Sequence, residues 1–454
     1  MRILGVSSYH HDSAAASLKD GIILGASHEE RFTRKKYDNS FPVNTISWLK
    51  NTYEDWEYAV FYEESSYKQF KTDIKKITSA KPVLVDHHEA HAMSSILTTD
   101  WDECAVMIID TVGGKFSTSL GVFENGKIEW LKRFRYPNSL GLFYSSATRF
   151  LGFEPLSGES QVMAAAGYGI PKWSKFIKDK IISSSEGEYT LLHDLTRGLG
   201  YGVLDWDVAA SVQAVFTDIV FSLTEWLYKE TGKKNLAYAG GCALNCITNG
   251  HLSDYSSFEN IAIQPAAGDA GASLGAAALL ERPLWEGPYL GVEEYSDLTP
   301  EEAAIKIING FVVPVINGRA EFGPRALGNR SLLCCPNDDT ITKLNVLKGR
   351  VDDSWRPYAP VVQDKELDNF FTISHPCPYM LFAGEIKDES NFKTHNNTAR
   401  VQCVDGSQSF LYKVLEYTRQ YGYPILINTS LNAKGKPIVN KKEDLNEIQL
   451  HNRG

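Results

Sequence analysis

One pattern in the first 130 residues constrains the fold more than any other. The apolar run Ile3-Leu4-Gly5-Val6 leads through a polar turn to a second strand, which returns through Asp20-Gly21 into Ile22-Ile23-Leu24-Gly25-Ala26. Later, Ala105-Val106-Met107-Ile108-Ile109-Asp110 leads through Gly113-Gly114 to a strand that returns through Asn125-Gly126. Aspartate-glycine or asparagine-glycine between apolar runs marks a hairpin, because two-residue turns need positive φ. The same strand, turn and hairpin used twice, with helical sequence between, predicts a duplicated α/β architecture.

Such a duplication suits a two-lobed fold that holds a nucleotide in the cleft between lobes, as in the actin, Hsp70 and sugar-kinase group. Downstream, Asp207 is expected to cap a helix over residues 209–228, its carboxylate accepting from the free amides at the helix start. A strand over 235–239 breaks at Gly240-Gly241, and a second over 261–263 breaks at Gly268-Asp269-Ala270-Gly271 before a small-residue helix over 273–280. Strand, glycine-rich turn and helix is how α/β proteins offer amides to phosphate. Residues 281–300, rich in Pro, Gly and acidic residues, read as a linker. Beyond them a strand over 311–316 precedes a series of arginines.

At 454 residues the chain has room for two or three domains. The apolar start is too short for a signal peptide and no later stretch is expected to span a bilayer, so the expected location is cytoplasmic. Seven cysteines, an odd number without a CxxC pair, are expected as thiols rather than disulfides or a zinc ribbon. A formal net charge of −10 argues against broad binding to nucleic-acid phosphates.

Three constellations can carry chemistry. In His87-His88-Glu89-Ala90-His91, residues four apart share one helical face, so His87 and His91 can present imidazoles to one metal, or the run is a histidine-rich surface turn. Asp110 at a strand end and Asp269 in a glycine turn are ligand candidates, with capping or turn roles as the alternative. Two imidazoles and two carboxylates suit zinc, iron(II) or manganese. His10-His11-Asp12-Ser13 follows the first strand; His11 can act as a general base oriented by Asp12, or be a solvated turn histidine. The densest set is Gly318-Arg319-Ala320-Glu321-Phe322-Gly323-Pro324-Arg325-Ala326-Leu327-Gly328-Asn329-Arg330, then Lys348, Arg350, Arg356, Arg400 and Asn428-Thr429-Ser430. Guanidinium forks match phosphate and carboxylate oxygens. A solvated basic face is the alternative, but arginines set among Gly and Pro fit an oxyanion site better.

These residues resemble the NodU/CmcH (nodulation and cephem) family of O-carbamoyltransferases from the N-terminus almost to the end. The carriers are His11-Asp12-Ser13-Ala14-Ala15, Glu29-Glu30-Arg31-Phe32-Thr33-Arg34-Lys35-Lys36, His87-His88-Glu89-Ala90-His91-Ala92, Ala239-Gly240-Gly241-Cys242-Ala243-Leu244-Asn245, Gly268-Asp269-Ala270-Gly271, the 318–330 run, Arg356-Pro357-Tyr358-Ala359-Pro360, Thr398-Ala399-Arg400-Val401-Gln402 and Asn428-Thr429-Ser430-Leu431-Asn432. The resemblance implies a Kae1-like, actin/Hsp70-type domain over 1–305 and a YrdC-like α/β domain over 306–454, shortened at its C-terminus. It implies that ATP activates carbamoyl phosphate to a carbamoyl-adenylate, whose carbamoyl group passes to a hydroxyl on a small molecule such as a sugar, antibiotic scaffold or nucleoside. It places His87, His91, Asp110 and Asp269 on a divalent metal (iron(II), manganese or magnesium), and His11 with Asp12 at the base. Gly113, Gly240, Gly241 and Asn245 fall on nucleotide-binding turns. Arg325, Lys348, Arg356, Arg400, Asn428 and Ser430 fall on the carbamoyl phosphate site.

The sequence departs from the family where Asp110-Thr111-Val112-Gly113 replaces an Asp-Gly start, and where the loop between Lys348 and Arg356 is longer. Two other readings stay open: a non-catalytic ATP-binding regulatory module of the same fold, and a threonylcarbamoyl-type transferase acting on tRNA. The missing CxxC zinc fingers argue against a hydrogenase-maturation enzyme, and Glu89 stands one place late for a zinc protease. A homodimer is the expected assembly, as the commonest one.

Overall fold

The computed structural model describes residues 1–193, 204–387, 397–406 and 409–449. The chain divides into two compact units, one of residues 1–59, 72–82 and 286–454, the other of residues 60–71 and 83–285.

The first sheet is made of Arg2–Ser7 (β1), Ala14–Lys19 (β2), Ile22–His28 (β3), Tyr58–Phe61 (β4) and Lys81–Leu84 (β5), in the order β3-β2-β1-β4-β5. The unit boundary runs through β4 and β5. At the hairpin between β2 and β3, Asp20 (φ 50°) and Gly21 (φ 77°) both take the positive φ that the sequence signal requires.

The second unit repeats the plan. Glu103–Gly113 (β6), Phe116–Glu124 (β7) and Lys127–Arg135 (β8) form an antiparallel meander, and Asn125 (φ 52°) with Gly126 (φ 74°) makes its second turn. Ile182–Ser185 (β9) and Glu188–Leu191 (β10) form a separate hairpin. Asn235–Ala239 (β11) lies parallel to β6, and Asn260–Ile263 (β12) lies parallel to β11. The sheet order β12-β11-β6-β7-β8 is that of the first sheet met from its other edge. Three antiparallel strands extended by two more, used twice with helices between, is the duplicated α/β architecture of the actin/Hsp70 group.

The long helix of this unit spans Trp206–Thr231. Its cap is Asp205, which accepts from the amides of Asp207 and Val208, and not Asp207, whose carboxylate is taken by the Ile170 amide. By length and composition this helix could cross a membrane, contrary to the expectation from sequence, but 61% of its most apolar window is buried in the protein core. A second correction concerns the helix after β12. It runs Asp269–Ala278, so the residues read as a glycine turn are its first helical turn.

The C-terminal part of the first unit carries a strand, Tyr289–Glu293 (β13), inside the segment read as a linker. Val313–Ile316 (β14) is the expected strand, shorter at its start, and β13 pairs antiparallel with Arg319–Glu321 (β15). Arg330–Cys334 (β16), Ala359–Gln363 (β17), Gln402–Val404 (β21) and Ile425–Ser430 (β22) complete a five-stranded sheet of order β14-β16-β22-β17-β21. Between them Phe371–Thr372 (β18), Ala383–Ile386 (β19) and Thr398–Arg400 (β20) form a smaller sheet. The core on one side of the larger sheet includes Ile307, Val315, Leu333, Val361, Val414 and Leu426. Its helix Pro300–Ile308 begins with a capping box between Thr299 and Glu302.

Candidate functional site

His87 and His91 lie one turn apart on the helix His87–Ile96. That helix starts where it does because Asp86 accepts from the amides of His88 (2.9 Å) and Glu89 (3.1 Å). The Asp269 helix packs tightly against it: a Cβ at Gly275 would meet the Ala90 carbonyl oxygen at 1.9 Å. This close approach brings Asp269, in the first turn, to the histidines. Asp110 arrives from β6, whose pairing with β7 loses register between Ile109 and Gly113. Its Oδ1 accepts from the amides of Thr111 (2.8 Å) and Gly241 (3.3 Å), leaving Oδ2 to face the imidazoles.

The four side chains are buried and offer ligand atoms that all lie within 4.8 Å of one another. The Nε2 atoms of His87 and His91 are 3.1 Å apart. Asp110 Oδ2 is 3.6 Å from His87 and 3.4 Å from His91, and Asp269 Oδ1 is 3.6 Å and 3.3 Å from the same atoms. Burial works against charge on His87, but the neighbouring carboxylates of Asp110 and Asp269 and the hydrogen bond with Glu63 outweigh it and hold its pKa well above the usual range. Burial likewise opposes charge on His91, and the adjacent carboxylates of Asp110 and Asp269 raise its pKa. Burial would lift Asp110, yet the two imidazoles hold it well below the carboxylate range. The cluster therefore attracts positive charge, and two nitrogens with two carboxylates fit one divalent transition metal. Magnesium, which prefers an all-oxygen octahedron, fits this donor set less well.

Two of the glycines expected at nucleotide turns, Gly240 and Gly113, have a steric reason. Gly240 sits at φ 94°, where a Cβ would meet the Ile109 carbonyl oxygen at 2.2 Å. Gly113 borders the histidines, and a Cβ there would come within 2.4 Å of His88 Nε2. Gly241 offers its amide to Asp110. Asn245 caps the helix Cys246–Tyr255 by accepting from the Thr248 amide at 3.1 Å. Its side chain is fixed by Gln213, whose Oε1 accepts from Asn245 Nδ2 (3.0 Å) and from the Tyr144 hydroxyl (2.8 Å).

The arginine run divides into two groups. Arg330, fully buried, donates to the carbonyls of Asn440, Gly318, Asn329 and Val292. Arg319 donates to those of Gly291, Leu290 and Leu24. Both hold backbone in place and leave the anion field that the sequence suggested. Glu321 turns inward and accepts from the amides of Leu327 (2.7 Å), Asn329 (2.7 Å) and Arg330 (3.1 Å), which folds residues 322–330 into a loop. Arg325 stands on that loop. The loop is pinned again by Asn428, which donates to the Ala326 carbonyl (3.3 Å) and to Gln402 Oε1 (2.6 Å), while Gln402 donates to the Leu327 carbonyl (3.0 Å).

Lys348 is buried, with its ammonium on the Ser430 carbonyl, Ser430 Oγ (3.2 Å) and Asn432 Oδ1 (2.8 Å). Burial, with Arg350 and Arg356 nearby, pushes its pKa well below the usual lysine range. Arg356 is pushed down to about 10 by burial and by Arg350, with Arg400 adding to the repulsion. Like charges crowded in this way create a local positive potential, which favours an anion. His11 and Asp12 lie on the turn after β1, half-buried, with His11 Nδ1 3.1 Å from Asp12 Oδ2 and Asp12 at φ 52°. The turn is held by the Tyr9 amide on the Asn39 carbonyl and the Ser13 amide on the Asp38 carbonyl, both at 2.9 Å.

Sequence reasoning did not single out Glu63, Gln213 or Tyr144. Glu63 and Gln213 act on candidate residues from distant segments, Tyr144 acts through Gln213, and no local spacing signals that. Glu321 stood in the arginine-bearing run without a role of its own. Its offsets of six to nine residues from the amides it binds were the available sign of a loop organiser.

The sequence model for the carbamoyltransferase N-terminus matches residues 2–54, 47–198 and 192–278, and that for the carbamoyltransferase C-terminus matches residues 304–453. An uncharacterized protein of Synechocystis, sll1178, is 32% identical over 97% of this chain and 93% of its own length. Nodulation protein NolNO of Sinorhizobium fredii is 28% identical over 96% of this chain and 76% of its own. A 3'-hydroxymethylcephem-O-carbamoyltransferase of Amycolatopsis lactamdurans is 33% identical over 46% of this chain and 45% of its own. Matched at both ends by the family's two sequence models, this chain belongs to the carbamoyltransferase family.

Proposed function

We propose that the chain is an ATP- and divalent-metal-dependent O-carbamoyltransferase acting on a hydroxyl of a small molecule. The observation that carries this reading is the convergence of His87, His91, Asp110 and Asp269 in a member of this family. A divalent cation held by these four, iron(II) or manganese by its donor set, would supply positive charge to nucleotide phosphate oxygens. Gly113, Gly240, Gly241 and Asn245 would line the nucleotide turns, where only glycine lets the backbone come so close.

In this reading the part over 306–454 takes carbamoyl phosphate. Arg325, Arg356 and Arg400 hold its phosphate oxygens by charge-assisted hydrogen bonds, and Lys348, Asn428 and Ser430 shape the pocket around them. Carbamoyl phosphate yields its phosphate to water. The carbamate oxygen then attacks the α-phosphorus of ATP, and pyrophosphate leaves. In the transfer step His11, oriented by Asp12, takes the proton of the acceptor hydroxyl as its oxygen attacks the carbamoyl carbon and AMP departs. Catalysis rests on preorganised charge, because the electrophile is weak until its leaving group is a stabilised phosphate.

The adenylate can be sought without knowing the acceptor, by adding hydroxylamine as a surrogate nucleophile. Carbamoyl phosphate, ATP and manganese together should then give hydroxyurea and AMP in equal amounts. ATP consumption that ignores carbamoyl phosphate, with no hydroxyurea, would overturn the reading.

A further inference from the structure

We infer that Glu63 is a positioning residue for the metal centre: it fixes the tautomer and ring plane of His87 so that Nε2 faces the other three ligands. The inference rests on reading the four-residue cluster as a divalent-metal site. Glu63 is the second residue after β4 and is 6% exposed. Its Oε1 is held by Ser65, through the backbone amide at 3.3 Å and the hydroxyl at 2.8 Å. The other oxygen, Oε2, is thereby aimed at His87 Nδ1, 3.1 Å away.

An ionised carboxylate only accepts, so the proton of this contact sits on Nδ1, and whenever the ring is neutral its lone pair is on Nε2. That is the nitrogen which meets His91, Asp110 and Asp269. The neighbouring Tyr62 works on the same centre. Its ring meets the His87 ring edge-on at 4.7 Å, and its hydroxyl donates to the Asp269 carbonyl at 3.1 Å. Two consecutive residues after β4 thus set one ligand from each of two helices. His91 is different: its Nδ1 is buried with no hydrogen-bond partner among the described residues, so its ring is held by packing. The asymmetry makes His87 the ligand whose orientation depends on a carboxylate, an arrangement in which outer partners commonly set metal affinity.

The test is titration of the full-length, metal-free protein with Mn²⁺ alone, followed by calorimetry and by the Mn²⁺ electron paramagnetic resonance signal. Wild type, Glu63→Gln, Glu63→Ala and His91→Ala are compared, each checked by circular dichroism. The expected result is Mn²⁺ binding in wild type, loss in His91→Ala, and weakening of about 10- to 100-fold in Glu63→Ala. Glu63→Gln, which keeps shape and a neutral acceptor, should fall between wild type and Glu63→Ala, an order that simple disruption of the fold would not give. If Glu63→Ala is unfolded, Glu63→Gln decides alone. Wild-type affinity in a folded Glu63 variant overturns the role of Glu63 and leaves the metal centre standing. Equal failure of wild type and His91→Ala to bind overturns the metal centre itself, and the inference with it.

Discussion

His28 is a residue at which burial makes a chemical demand. It ends β3, is fully enclosed, and stacks at a tilt on Phe322 with ring centroids 5.2 Å apart. Neither ring nitrogen has a hydrogen-bond partner among the described residues. Burial, with Arg31 adding repulsion, lowers its pKa from 6.5 to about 4. A histidine depressed in the folded state stabilises the fold fully above its unfolded pKa, and that contribution fades as pH falls from about 6.5 toward 4. Between pH 7 and 5 the loss should be on the order of 2 kcal/mol. Urea denaturation at both pH values should show a shallower pH dependence in His28→Leu than in wild type; equal slopes would contradict the assignment. At this scale the sequence was readable wherever chemistry is local. His87 and His91 share a helical face by spacing alone, whereas Glu63 reaches His87 from 24 residues away.

At the scale of elements, the loop over 322–330 and the contact between the helices that carry His87, His91 and Asp269 decide the most. Glu321 gathers three amides on one carboxylate oxygen, so Glu321→Ala strands them and releases the loop that carries Arg325. The expected cost is about 2–3 kcal/mol of stability, with weaker carbamoyl phosphate binding, measured by thermal denaturation and calorimetry. An unchanged melting temperature would contradict the role of Glu321. Gly275→Val tests the helix contact, because its side chain must push against the Ala90 backbone. Overpacking there should cost about 1–3 kcal/mol and weaken Mn²⁺ binding together with stability. Both hairpins were legible because Asp-Gly and Asn-Gly state their φ angles. The convergence of Asp110 and Asp269 was legible only through the family resemblance and not from local pattern, since it depends on a lost register in one strand and a glycine contact between two helices. The arginines misled for a related reason: sequence gives their charge but not the carbonyls that occupy Arg319 and Arg330.

Across the whole molecule, a chain of net charge −10 keeps a local crowd of cations around Arg350, Arg356 and Arg400. Attraction of a small anion into that crowd is electrostatic, so carbamoyl phosphate affinity should fall as salt rises. The fall should be flatter in Arg400→Ala, and equal salt slopes would contradict the role of the arginine field. The duplicated sheet order was readable in outline from the first 130 residues, but β13 was lost in a segment whose Pro and Gly content imitates a linker.

The most direct test of the central claim is pyrophosphate release from ATP with carbamoyl phosphate and Mn²⁺ present. Wild type is compared with Arg325→Ala and His91→Ala. Carbamoyl-transfer chemistry predicts release that requires carbamoyl phosphate and is lost in both variants. Release that persists without carbamoyl phosphate, or survives in both variants, would contradict it.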